Sequence, residues 1–87
     1  MTAFRAAIEK APIVPVLTVY EADHAEPLAE ALAKGGLTAV EVTLRTPAAL
    51  DVIRIMGEAQ PDLLVGAGTI ISEGDVDAAL KAGSDFL

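Results

Sequence analysis

The chain has 87 residues, fewer than the roughly 100 to 150 of an ordinary domain, which leaves room for one domain with a modest core. Its hydrophobic fraction is 53% and its mean hydropathy +0.50, more apolar than a small water-surrounded monomer sustains, so a partner surface or further chain is expected to cover part of it. A formal net charge of -7 and an isoelectric point near 4.4 argue against nucleic acid or an anionic membrane as partner, because both need a positive footprint.

No cysteine is present, which rules out disulfide and thiolate chemistry and fits a reducing cytoplasm, the compartment expected. The single His24 cannot build a zinc site without several carboxylates converging on it, so it reads as a first-turn surface residue, and neither metal nor cofactor is expected. The start, MTAFRAAIEKAPIVPV, lacks the long apolar stretch of a signal peptide, and Pro12 and Pro15 interrupt any membrane span. A soluble protein is expected.

In chain order, a short helix is predicted over residues 3–10 and a first strand over 13–19, with Pro12 and Pro15 at its beginning or at an unpaired edge. The following helix is expected to open with Asp23 as N-cap and Glu26 three residues on, a capping box, and to stop at Gly35 and Gly36. Residues 37–44 read as the second strand. Thr46 and Pro47 then supply an N-cap and a first-turn proline for a helix that ends before Pro61. Residues 63–67 read as the third strand, Ser72 with Asp75 opens the last helix, and Gly83 closes it after Lys81. Residues 84–87 look like a fourth strand just begun. Residues 1–87 thus form a single partial domain with no internal boundary. Repeated βα units imply parallel strands with right-handed crossovers, and both a closed barrel and an open doubly wound sheet begin this way.

The segment Ala39-Val40-Glu41-Val42-Thr43-Leu44-Arg45-Thr46 breaks the usual rule for buried parallel strands. Alternation puts Val40, Val42 and Leu44 on one face and Glu41, Thr43 and Arg45 on the other. A buried unpaired charge is costly, so Glu41 and Arg45 must pair, face water or line a polar site. Two readings stand. One is a structural ion pair or solvated face, for which both long side chains must lean inward across about 13 Å of strand. The other is an acid/base beside an anion-binding arginine, at the strand end where α/β folds place ligands. At the end of the third strand, Gly66-Ala67-Gly68-Thr69 adds a hydroxyl at the same edge, but it completes neither the dinucleotide fingerprint nor the Walker pattern. Packing of a helix against the strand is the plain explanation of those glycines.

Taken together, Ile13-Val14-Pro15-Val16, Glu41-Val42-Thr43-Leu44-Arg45-Thr46 and Val65-Gly66-Ala67-Gly68-Thr69 closely resemble the start of the 2-keto-3-deoxy-6-phosphogluconate (KDPG) aldolases. The match runs in order from about Pro12 to the end of the chain, and it also fits the sister aldolases acting on 2-keto-3-deoxy-6-phosphogalactonate and 4-hydroxy-2-oxoglutarate. The resemblance implies the N-terminal half of a (β/α)8 TIM barrel, from a class I lyase that cleaves 2-keto acids to pyruvate and an aldehyde through a lysine Schiff base. It implies Glu41 as general acid/base, Arg45 as the ligand of the pyruvate carboxylate, and Thr69 as a contact to the same keto acid. The Schiff-base lysine of the family belongs to a later strand, beyond Leu87.

Lys10, Lys34 and Lys81 all fall near the C-terminal ends of predicted helices, where water and the helix dipole keep an amine charged. The expectation is therefore an aldolase fragment, itself inactive, whose partner is a complementary C-terminal half. The alternative is a non-catalytic half-barrel that self-assembles as a homo-oligomer.

Overall fold

The protein is described by a computed structural model over residues 2–10 and 13–87. The elements are α1 (Thr2–Lys10), β1 (Val16–Leu17), a 3-10 turn (Ala22–His24) running into α2 (Ala25–Lys34), β2 (Ala39–Thr43), α3 (Ala49–Ala59), β3 (Leu64–Gly68) and α4 (Glu73–Lys81). The strands make one parallel sheet in the order β1-β2-β3, as successive helical crossovers demand. On the outer side of β3, Phe86 bridges Gly66 in parallel, with Ala67 N–H donating to the Phe86 carbonyl (2.9 Å) and Asp85 N–H to that of Val65 (2.7 Å). Where a fourth strand is expected over residues 84–87, there is a single isolated bridge and no named strand.

The first strand is shorter than its apolar run. Only Val16 and Leu17 enter the ladder, opposite Glu41 and Val42, although the Glu41 N–H also reaches the Pro15 carbonyl at 2.9 Å. An edge strand has partners on one side alone, and beyond Leu17 the link to β2 passes to side chains, with Thr18 Oγ1 2.9 Å from Thr43 Oγ1. Pro15 stands just before β1, as expected; Pro12 lies outside the described residues.

Two predicted helix starts are corrected. Asp23 caps nothing as an N-cap: it sits inside the 3-10 turn, His24 is the N-cap of α2, and no side chain bonds there. The turn closes His24 N–H onto the Glu21 carbonyl (3.1 Å), and Pro27 in the first turn of α2 has no N–H to satisfy, so the capping box has little left to do. Likewise Thr46 does not cap α3, which begins at Ala49 with Ala48 as N-cap. The Thr46 hydroxyl donates instead to the Val19 carbonyl at 2.7 Å, tying the end of β2 to the chain leaving β1.

The remaining boundaries follow local chemistry. Ser72 accepts from the Asp75 N–H (3.1 Å) and opens α4 as expected. Gly36 (φ +88°) and Gly83 (φ +96°) end α2 and α4 in the left-handed conformation. Leu37 N–H reaches Leu32 O (3.1 Å) and Ser84 N–H reaches Ala79 O (3.0 Å), the Schellman closure at each helix.

The helices α2, α3 and α4 cover one face of the sheet. Ala49, Val52, Ile53 and Met56 recur at the helical period along α3 and are buried against Val40, Val42, Val65 and Ala67, with Ala25, Ala29 and Ala79 filling in from α2 and α4. The helix α1 lies on the opposite face. There Ala7 packs with Ala39 and Phe86, bordered by Val14 and Leu64, and its carbonyl accepts from the Thr38 hydroxyl at 2.7 Å. No helix among the described residues is long and apolar enough to cross a membrane.

Candidate functional site

Register carries the polar residues to the face opposite the main core. Val16, Glu41 and Gly66 stand at one level, and Thr43 and Gly68 at the next. The even-numbered valines of β2 are fully buried beneath the helices with Leu44 against them, so Glu41 and Thr43 share the other face as the two-residue period requires, while Arg45 falls beyond the strand. At the N-terminal end of this face the Ala7, Ala39 and Phe86 cluster closes it with apolar side chains. Polar chemistry is left to the C-terminal end.

The two glycines of β3 point to this same face, not toward the helices; it is Ala67 that packs on the helical core. Helix packing therefore does not explain them. A Cβ added at Gly66 would overlap the Phe86 ring, and one at Gly68 would overlap the Glu41 carboxylate. Each glycine is the vacancy into which a neighbouring side chain leans. Glu41 is thereby laid across β3, half-buried, and its carboxylate has no hydrogen bond or ion pair among the described residues.

Arg45 stands two residues past β2, in the turn, and is exposed. Its Nε points to Thr69 Oγ1 at 3.4 Å, a long contact. Arg45 and Glu41 form no ion pair; the salt bridges among the described residues are Glu30–Lys34, Asp51–Arg54 and Glu58–Arg54, all on exposed helix surfaces. Thr69 itself has φ +59°. A β-branched residue in the left-handed region is strained by about 1–3 kcal/mol, and such strain gathers where side-chain aim matters more than backbone comfort. One more pair was not foreseen: the Thr43 hydroxyl, buried, lies 2.9 Å from the hydroxyl of Thr18 on the β1 side.

The three lysines are all exposed in the last turns of α1, α2 and α4. Glu30, 2.8 Å from Lys34, raises the Lys34 pKa above its ordinary value by hydrogen bonding and then by charge, the reverse of what a nucleophilic amine needs. His24 is exposed at the start of α2, and no cluster of metal-ligating side chains occurs among the described residues. A cleft of about 420 Å³ lies at the other end of the sheet, between the C-terminal ends of α3 and α4, and is lined by Arg54, Glu58, Lys81 and Asp85 without reaching Glu41 or Arg45.

Parallel βα units that gather a carboxylate, hydroxyls and a guanidinium at the C-terminal ends of their strands have the arrangement of an α/β-barrel site. The family model "KDPG and KHG aldolase" matches residues 4–87, and the chain belongs to that aldolase family. It is 50% identical over 76 residues to a 2-dehydro-3-deoxy-phosphogluconate aldolase of Zymomonas mobilis, covering 87% of this chain and 36% of that protein. It is 43% identical over 75 residues to the KHG/KDPG aldolase of Escherichia coli, covering 86% and 35%. Among solved structures, a 2-keto-3-deoxy-6-phospho-gluconate aldolase from Zymomonas mobilis superposes with a TM-score of 0.85 at 46% identity, over 94% of this chain and 40% of that one. A KDPG aldolase from Legionella pneumophila, with pyruvate captured as a covalent carbinolamine, gives 0.82 at 42%, over 91% and 38%. The chain thus spans about 36% of the length of the curated relatives it matches, and its fold is the N-terminal part of a (β/α)8 barrel.

Proposed function

We propose that this chain supplies the acid/base and carboxylate-binding portion of a class I aldolase site that cleaves KDPG-type 2-keto acids to pyruvate and an aldehyde. The observation that carries the reading is the Glu41 carboxylate laid over Gly68, unpaired among the described residues, with Arg45 and Thr69 joined beside it at the strand ends. In cleavage, an imine at C2 of the keto acid draws electrons from the breaking C3–C4 bond. Glu41, directly or through a water, takes the C4 hydroxyl proton as the aldehyde departs, and the resulting enamine is protonated at C3 before hydrolysis releases pyruvate. Arg45 holds the carboxylate with its planar donors, and Thr69 adds a hydroxyl to the same group. The imine-forming amine comes from outside residues 1–87, because Lys10, Lys34 and Lys81 are solvated helix-end amines. The absence of cysteine and the acidic surface suit a cytoplasmic enzyme.

Incubation of the polypeptide Met1–Leu87 with pyruvate and borohydride tests the assignment of the amine. No stoichiometric adduct is expected by mass spectrometry, whereas the same polypeptide fused to the C-terminal remainder of the Zymomonas mobilis relative acquires one adduct, on a lysine of the added part. A specific adduct on Lys10, Lys34 or Lys81 in the unfused chain overturns the reading.

A second reading, self-assembly, is favoured by the open edge of the sheet, where Ile13, Val16 and Tyr20 are 65%, 63% and 73% exposed. Unpaired edges with apolar side chains seek another strand. Sedimentation of the unfused polypeptide at micromolar concentration is expected to show a dimer or larger species; a cooperatively unfolding monomer contradicts this.

A further inference from the structure

Gly68 is buried inside a parallel strand, where glycine forfeits side-chain packing and raises the entropic cost of ordering the chain. The ordinary reasons for a strand glycine fail here. The ladder with β2 runs residue against residue, from Ala39 opposite Leu64 to Thr43 opposite Gly68, so there is no bulge to accommodate. The glycines of positive φ among the described residues are Gly36 and Gly83, so the backbone at position 68 is open to any residue. Ala67, and not Gly68, meets the helices. What a side chain at this position would meet first is Glu41: the three atoms nearest to an added Cβ all belong to it, and the carboxylate would be overlapped.

Register explains why Glu41 lies there. Glu41, Gly66 and Phe86 stand side by side at one level, with Gly66 in the middle, and the Phe86 ring fills the space over that glycine. Glu41 therefore cannot lie straight across β3 at its own level. Two residues on, Gly68 offers an open place at the level of Thr43, immediately before Thr69 and its contact to Arg45. The carboxylate has no hydrogen bond or ion pair among the described residues, so the shape of this place is what holds it. We propose that Gly68 is a positioning residue for proton transfer: by carrying no side chain it sets where the Glu41 carboxylate acts, while the Phe86 ring closes the alternative place over Gly66. This rests on the acid/base role of Glu41 proposed above.

The test uses the fusion of Met1–Leu87 with the C-terminal remainder of the Zymomonas mobilis relative, and steady-state cleavage of 2-keto-3-deoxy-6-phosphogluconate. Gly68→Ala adds one methyl group where Glu41 lies. It is expected to lower kcat by about 10- to 100-fold, the scale of a displaced reacting group, and to keep KM within about twofold because Arg45 and Thr69 are retained. On a Glu41→Gln background the same substitution is expected to cost less than about twofold in kcat, since the group it displaces no longer takes a proton. Circular dichroism and thermal unfolding check the fold of each variant. Loss by the same factor on both backgrounds, kcat kept within about twofold in the single variant, or a rise in KM with kcat unchanged overturns the proposal. So does a Gly68→Ala fusion that fails to fold, which would make the glycine a requirement of packing. The proposal and the reading beneath it fail separately. If Glu41→Gln loses cleavage while Gly68→Ala keeps it, the Gly68 assignment alone falls; if Glu41→Gln keeps cleavage, the acid/base role of Glu41 falls and Gly68 with it. An unsubstituted fusion that is folded but does not cleave counts against the reading of the whole site, Gly68 included.

Discussion

If Glu41 moves the proton as proposed, Glu41→Gln in the fusion is expected to lower kcat for cleavage by about 10²–10⁴-fold, the usual contribution of a positioned general acid/base. Glutamine has the same length and fits the same vacancy over Gly68, so the geometry of the site is kept while the proton acceptor is removed. Stability is not expected to fall, because the Glu41 carboxylate has no ion pair or hydrogen bond to lose among the described residues. Steady-state kinetics and thermal unfolding on the same preparation separate the effects. A variant that retains activity to within about threefold removes Glu41 from proton transfer.

Ile53→Ala has its effect on stability instead. Ile53 is 1% exposed at the centre of the buried stripe of α3, among the largest side chains wholly enclosed in the core. Truncation removes apolar contact and leaves a cavity, at a cost of about 2–5 kcal/mol. A domain of this length is stable by only about 4–13 kcal/mol, so the loss is a large share. Leu50, on the same helix and 38% exposed, serves as the control, and Leu50→Ala is expected to change stability by less than about 1 kcal/mol. Urea unfolding midpoints check the contrast. Equal shifts for the two variants contradict this assignment of the core.

Helix ends were legible where the signal needs only neighbours in the chain. Gly36 and Gly83 take left-handed conformations that side-chain-bearing residues avoid, and Ser72 meets the Asp75 N–H three residues on. The same logic misplaced Asp23 and Thr46, for different reasons. A 3-10 turn extends α2 backwards past Asp23, and the Thr46 hydroxyl is taken by the Val19 carbonyl, 27 residues away in sequence. A cap is a competition for one hydroxyl or carboxylate, and a distant acceptor can win it without leaving a trace in the local pattern.

The sequence by itself determined the order of the βα units, the division of β2 into apolar and polar faces, and the candidates Glu41, Arg45 and Thr69, because a two-residue period and short-range hydrogen bonding are properties of the chain alone. Only the tertiary structure decided that Glu41 and Arg45 do not pair, that Gly66 and Gly68 exist to admit Phe86 and Glu41, and that Thr18 meets Thr43. Each of these depends on which residue of one strand stands opposite which residue of the next. That register is set by helices packing across the other face of the sheet, and no local pattern within a single strand carries it.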